Sequence, residues 1–251
     1  MEFNMNRKTV SLLLATLLLT ACGGGSSSQK NDGKGEIDLA EYFPKTSMTK
    51  TFSSIERDGD SVLKSHNDEI IEVLGNTIIT TVDTQVIERV VITDTNITTT
   101  DMDGDVDRIF RHVDLGDTIL SGSLNESEEI ELGKMTKSLK SSCVVKSKED
   151  KFEKDDNVYS GDLLKIECIT EGTILMDVKP SLIPYVSEDL NGSHDYYDKS
   201  YLYLKKGLGE VASINDDCII SDKLSEELVD DRKSGKECDD KKHYAYEFYL
   251  P

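Results

Sequence analysis

From about residue 69 onward the chain is written in short runs of Ile, Val, Thr and Tyr separated by Asn, Asp and Gly, and this grammar constrains its fold more than any other feature. The runs include Glu69–Leu74, Thr77–Val82, Gln85–Thr93, Val106–Val113, Ser142–Lys146, Leu163–Thr170, Thr173–Lys179, Tyr201–Lys205, Gly209–Ile214, Cys218–Ser221 and Tyr244–Leu250. β-Branched and aromatic side chains fit a pleated, half-buried surface, and the intervening residues are turn formers. The class expected is mainly β: one or more antiparallel sheets, as a sandwich or a half-barrel, with one short C-terminal helix. In Val106–Val113 the residues Val106, Arg108, Phe110 and His112 face one way, and Asp107, Ile109, Arg111 and Val113 the other. Neither face is wholly apolar, which predicts a sheet edge or a strand over an open face.

Helical signals are few. Leu224–Lys233 has Ser221 or Asp222 to cap it, Glu226 and Glu227 in its first turn, Arg232 and Lys233 in its last, and Gly235 beyond; this is the expected order of charges along a helix dipole. Asp38–Tyr42 has room for a short helical turn. The polar stretch Lys146–Asn157 reads as a long hairpin loop, and no internal repeat is visible.

Acidic residues number 49 against 29 Lys and Arg, a net charge of −20. Such a balance excludes a dedicated nucleic-acid binder, which needs positive charge along the phosphates. A chain only 37% hydrophobic is also far too polar for a bundle of membrane spans.

The amino terminus follows a different pattern. Arg7 and Lys8 precede Val10–Leu19, a run of about ten mostly leucine residues, which suits the apolar core of a secretory signal and is too short to cross a bilayer. It ends in Leu19-Thr20-Ala21-Cys22. This sequence resembles the lipobox of bacterial lipoproteins. The resemblance implies cleavage after Ala21 and a diacylglyceryl group on the Cys22 thiol, so that the membrane is a partner through the lipid. Gly23 stands where Asp tends to retain such proteins in the inner membrane, which favours the outer membrane of the cell envelope.

Cleavage leaves 230 residues carrying a net charge of −21, which discourages the body from lying on an anionic lipid surface. Three segments follow: 1–21 as signal peptide, 22–36 as lipidated tether, and 37–251 as a single β-rich body. Gly23–Glu36 has no apolar residue and is expected to remain unfolded, with a reach of roughly 20 Å.

Four further cysteines, Cys143, Cys168, Cys218 and Cys238, allow three pairings in an oxidising compartment. Sequential pairing is expected. Cys143 and Cys168 lie in successive apolar runs, and Cys218 and Cys238 flank the helical segment. A shared metal is the alternative, but no Cys-x-x-Cys spacing supports it.

Several motifs carry possible chemistry. Asp101, Asp103, Asp105 and Asp107 alternate around Gly104, so their carboxylates can converge on Ca²⁺. The stretch resembles the Asp-x-Asp-Gly-Asp loops of calcium-binding repeats and departs from the EF-hand, for which Thr99 and Phe110 would be wrong at the two ends. The competing reading is an acidic hairpin turn. Asn96 and Asn191 each have Asp two residues before and Ser or Thr two residues after. Both resemble the extended acceptor sequence of bacterial N-glycosylation systems.

Lys134–Lys148 is a basic island, readable as a phosphate or glycan contact or as a solvated strand pair. Tyr196, Tyr197, Tyr201 and Tyr203 are readable as a sugar-stacking surface or as aromatic β core. Lys206-Gly207-Leu208-Gly209-Glu210-Val211 resembles the glycine-rich strand–turn–strand of periplasmic β half-barrel lipoproteins, where glycine permits a sharp turn or close backbone approach.

The chain lacks a Gly-x-Ser-x-Gly elbow, a His-Glu-x-x-His zinc motif, a phosphate loop and a dinucleotide fingerprint. The reading is a non-catalytic envelope lipoprotein without a cofactor, acting as an interaction, structural or ligand-carrying module. Its alternatives are a Ca²⁺-dependent glycan or protein binder and an apolar-ligand carrier with a half-barrel cavity.

Overall fold

The computed structural model describes residues 34–58, 61–130, 132–154, 157–182, 191–215 and 243–250. Cys22, Cys218, Cys238 and the helical segment Leu224–Lys233 lie outside the described residues. The elements are β1 (Ile37–Asp38), a 3₁₀ turn (Leu39–Tyr42), β2 (Met48–Asp58), β3 (Ser61–Leu74), β4 (Thr77–Val82), β5 (Gln85–Ile92), β6 (Asn96–Asp101), β7 (Val106–Phe110), β8 (His112–Val113), β9 (Thr118–Ile130), β10 (Gly133–Lys154), β11 (Asn157–Val178), β12 (Gly192–Lys205), β13 (Gly209–Asn215) and β14 (His243–Leu250). The fold is mainly β, as expected, and the pairing is antiparallel. Among the described residues the only helical element is the 3₁₀ turn, within the segment where a short helical turn is expected.

Twelve strands form one sheet in the order β7-β6-β5-β4-β3-β2-β14-β13-β12-β11-β10-β9, while β1 and β8 pair separately. Most neighbours are consecutive hairpins. The β4–β5 hairpin has Val82 opposite Gln85, so only Asp83 and Thr84 turn the chain, with φ of 49° and 70°. Both central residues of this tight turn are left-handed, as the twist of the flanking strands demands, at a steric cost for a β-branched residue such as Thr84. The exception to nearest-neighbour order is β14, which pairs with β13 on one side and with β2 on the other, placing His243 opposite Asp58.

The sheet curls until its two ends share a core without closing into a barrel. Ile71, Ile78, Val90, Ile97 and Ile109 from β3–β7 form one cluster with Ile119, Val145, Leu164, Ile166 and Leu204 from β9–β12. Leu39, Tyr42 and Phe43 belong to the same cluster and fill the space between the halves as a plug. The edge strands β7 and β9 come within 8 Å, Cα to Cα, but no ladder joins them. β7 is therefore an edge, as its mixed faces predict; Ile109 is buried on its inward face and Val106 exposed on the other.

Alternation assigns inward and outward faces on β10–β12, and the outward face carries a second cluster. The β10–β11 hairpin has irregular register between Val145 and Ser147 and between Glu149 and Lys151, opposite left-handed Gly161 and Asp162. Bulges of this kind bend a strand. The bent tip lays Phe152 against Tyr203, with ring centroids 4.0 Å apart, over buried Leu163 and Ala212. Lys146–Lys154, expected as loop, is therefore strand: its polar residues alternate on a ribbon that needs only Phe152 to anchor it.

Candidate functional site

The plug is fixed from both sides. Asp38 caps the 3₁₀ turn by accepting from the Ala40 N–H at 3.0 Å, and Arg111 grips the same carboxylate with Nε at 2.8 Å and Nη2 at 2.6 Å. This two-pronged guanidinium bond holds the Asp38 carboxyl below the usual carboxylate range, against the opposing effect of burial. Leu39 N–H bonds the Arg111 carbonyl at 2.8 Å, and Gly207 N–H bonds the Glu41 carbonyl at 2.7 Å. Gly207 and Gly209 have φ of 76° and 81°. A Cβ on Gly209 would lie 3.3 Å from the Pro44 side chain. The glycine-rich β12–β13 turn thus provides both a sharp reversal and a close approach to the plug.

Under Phe43 and Pro44 lies a cavity of about 70 Å³ lined by Lys50, Glu69, Thr80 and Glu88. Lys50 is 2% exposed and Glu69 6%. Lys50 Nζ donates to the Glu210 carbonyl at 2.8 Å and stands 5.1 Å from the Phe52 ring centre. Burial pushes the Lys50 amine down, opposed by the carboxylates of Glu69, Glu210 and Glu88. Glu88 is pushed up to about 7 by burial and then by the charges of Glu69 and Asp101, with Lys50 acting the other way. The space suits about two water molecules and is well below the few hundred Å³ of an ordinary small-molecule site. Chemically the chamber holds a carboxyl whose charged form is disfavoured by burial and by the carboxylate beside it. Its signal in the sequence is parity: Glu69 and Glu88 stand two residues before the inward-facing Ile71 and Val90, and Lys50 two before Phe52.

Asp101, Asp103, Asp105 and Asp107 lie at the β6–β7 hairpin. Asp101 Oδ1 accepts from the Asp103 and Asp105 N–H groups, both at 2.9 Å, and Gly104 turns the chain with φ of 88°. One carboxylate of the four therefore shapes the turn. Asp107 points inward from β7; burial and then the Asp101 and Asp105 charges hold its carboxyl above the usual range.

Asn96 opens β6, with Nδ2 donating to Thr95 Oγ1 at 2.8 Å. Asn191 precedes β12 and is exposed, but its Oδ1 accepts from Val178 N–H at 2.9 Å and ties off the end of β11.

The basic island is strand β10. Lys137 bridges Glu126 and Glu128 at 3.3 and 3.0 Å, and Lys146 meets Glu167 at 2.9 Å. Tyr197 and Tyr203 are 7% and 5% exposed, and the Tyr201 ring lies 4.1 Å under Lys165 Nζ. These tyrosines pack within the sheet's own face.

Cys143 and Cys168 face each other in register with Cα atoms 4.0 Å apart and form a disulfide, the pairing expected from their successive runs. No protein-family model matches the chain, and comparison with curated proteins and with solved structures returns no match.

Proposed function

We propose that the chain is a membrane-tethered, non-catalytic interaction module of the bacterial cell envelope. One observation carries the choice of module over carrier: Leu39, Tyr42 and Phe43 occupy the interior where a half-barrel would hold an apolar ligand. The surfaces left for work are the outer face and the strand edges. The tether is supported by the Leu19–Cys22 sequence, the basic residues and leucine run before it, and the Gly/Ser-rich segment after it. Several acyl chains on one cysteine make attachment durable, because each buried CH₂ contributes about 0.8 kcal/mol.

Metabolic labelling with a palmitate analogue tests the anchor. The wild-type chain takes up label and sediments with membranes. Cys22→Ser takes up none and moves to the soluble fraction. An unlabelled wild type, or a Cys22→Ser chain that stays with the membrane, rejects the tether.

A further inference from the structure

We propose that the free edge of β9 is a self-association surface, on which a second copy of this chain adds its own β9 in antiparallel register about Asn125. The inference is independent of the tether, since it rests on the geometry and charge of β9.

The direction of each backbone group on β9 follows from its neighbours. In an antiparallel ladder, directly opposed residues alternate between close pairs that share no hydrogen bond and wider pairs that share two. The 4.0 Å Cα separation of Cys143 and Cys168 marks a close pair, so the Cys143 N–H and C=O point to β9 instead of β11. Val145 agrees: its N–H bonds the Asp117 carbonyl and its C=O accepts from Gly116. From Met135 to Cys143, then, the odd-numbered residues of β10 bond β9. Their partners there are Glu128, Glu126, Leu124, Gly122 and Leu120. The N–H and C=O groups of Ser121, Ser123, Asn125, Ser127 and Glu129 are aimed away from the sheet. Ser123, Asn125, Ser127 and Glu129 are also exposed.

Among the described residues no strand pairs with this edge, although β7 comes within 8 Å of β9. Natural sheets protect long edges with proline, charged side chains, bulges or short strands, and here the charges are Glu126, Glu128 and Glu129 alone. β7, the other edge, is protected by having only five residues. β9 has thirteen, and from Ser121 to Ile130 it contains no Pro, no Lys and no register shift. Its outward side chains lean back over β10: Asn125 Oδ1 accepts from Ser138 Oγ at 2.9 Å, and Ser127 Oγ shares a hydrogen bond with Thr136 Oγ1 at 2.9 Å. Among the described residues nothing bonds the outward ladder groups of Ser121–Glu129.

Charge and exposure together select the register: centring on Ser123 or Leu124 would also keep carboxylates from facing each other, but would draw the buried Ile119 and Leu120 into the pairing. Pairing centred on Glu126 would set that carboxylate against its own copy. Centring on Asn125 sets Ser123 opposite Ser127, Ser121 opposite Glu129, Leu124 opposite Glu126 and Gly122 opposite Glu128. No two carboxylates are then directly opposed. Glu126 and Glu128 already share Lys137, and about ten new backbone hydrogen bonds form.

The test uses the full mature chain. The Cα atoms of two Asn125 residues would be about 5.5 Å apart, within disulfide reach. Under mild oxidation Asn125→Cys forms a covalent dimer in high yield, and Glu171→Cys, exposed on β11 away from the edge, does not. Adding Ser123→Pro, which removes an outward N–H, sets its ring in the path of the incoming strand and is tolerated on an edge strand, abolishes the cross-link and halves the mass seen by sedimentation, while the circular dichroism spectrum stays that of the folded chain. A monomeric wild type overturns the proposal. So does equal cross-linking at Glu171→Cys, or a dimer that survives Ser123→Pro in a folded chain. Should the proline variant unfold, the comparison of Asn125→Cys with Glu171→Cys decides alone.

Discussion

Glu88 is the residue at which the protein's chemistry and its stability meet. Burial does most to disfavour its charge, the carboxylates of Glu69 and Asp101 add to that, and Lys50 acts the other way. Its native pKa of about 7 lies above the ordinary 4.5, so in that interval the native state holds a proton that the unfolded chain has released. Protonated Glu88 contributes stability that is complete below pH 4.5 and lost as pH rises through 7. Glu88→Gln copies the protonated form. It is expected to raise the melting temperature at pH 8 and to flatten the dependence of stability on pH between about 5 and 7.5, measured by thermal unfolding across that range. An unchanged pH profile would mean that Glu88 titrates as an ordinary surface carboxylate. Asp38 works in the opposite sense. Its pKa is lowered chiefly by the Arg111 hydrogen bond, so its contribution is present above the usual carboxylate range and fades as pH falls through the native value.

Among the elements, the β10–β11 hairpin carries the most structure and was only partly legible. Its disulfide could be anticipated because two cysteines in adjacent apolar runs face each other when the runs pair. The covalent link closes a separation of 25 residues. Replacing both Cys143 and Cys168 by Ala is expected to cost about 3 kcal/mol, read from the urea midpoint, and a reducing agent should lower the wild-type midpoint in the same way. A double variant as stable as the wild type would show that hydrophobic pairing alone fixes the register. The strand past Lys146, and β9 as a whole, were not legible as strands, since neither offers the Val/Ile/Tyr density that marks one. Both are strands because a long neighbour presents a ladder to them, and ladder hydrogen bonds do not depend on side-chain type. β6 offers too little apolar signal: half of Asn96–Asp101 is threonine, and Ile97 is its single hydrophobic residue, buried with Thr99.

At the scale of the whole molecule, β14 joins two meanders. One runs from β2 out to β7, the other from β9 back to β13; all eight residues of β14 pair with β2, and Ala245–Phe248 pair with β13 as well. Without that strand β2 and β13 each lose a ladder partner, and among the described residues the halves are joined through the shared core, the plug and the β7–β9 segment. Removing residues 243–251 is expected to abolish the single cooperative unfolding transition, leaving a broad or biphasic melt. A truncated chain with one sharp transition at the original midpoint would show that the core by itself unites the halves. Such pairing of distant segments carries loop-closure entropy and slows folding.

Read alone, the amino-acid order determined the chemical class of each segment. It marked the strand-forming body, the acidic balance, the cysteine pair Cys143 and Cys168, the turns at Asn, Asp and Gly, and an apolar N-terminal run ending in Leu19–Cys22 that resembles a lipobox. These are local properties, set by propensity, by spacing and by the side chains within a few residues. Tertiary structure decided which inward faces meet, that the Ile37–Phe43 segment plugs the curl, that Lys50, Glu69 and Glu88 share one chamber, and which edge remains open. Those outcomes depend on register and curvature summed over twelve strands, where a shift of one residue exchanges the two faces, and no single stretch of sequence carries that sum.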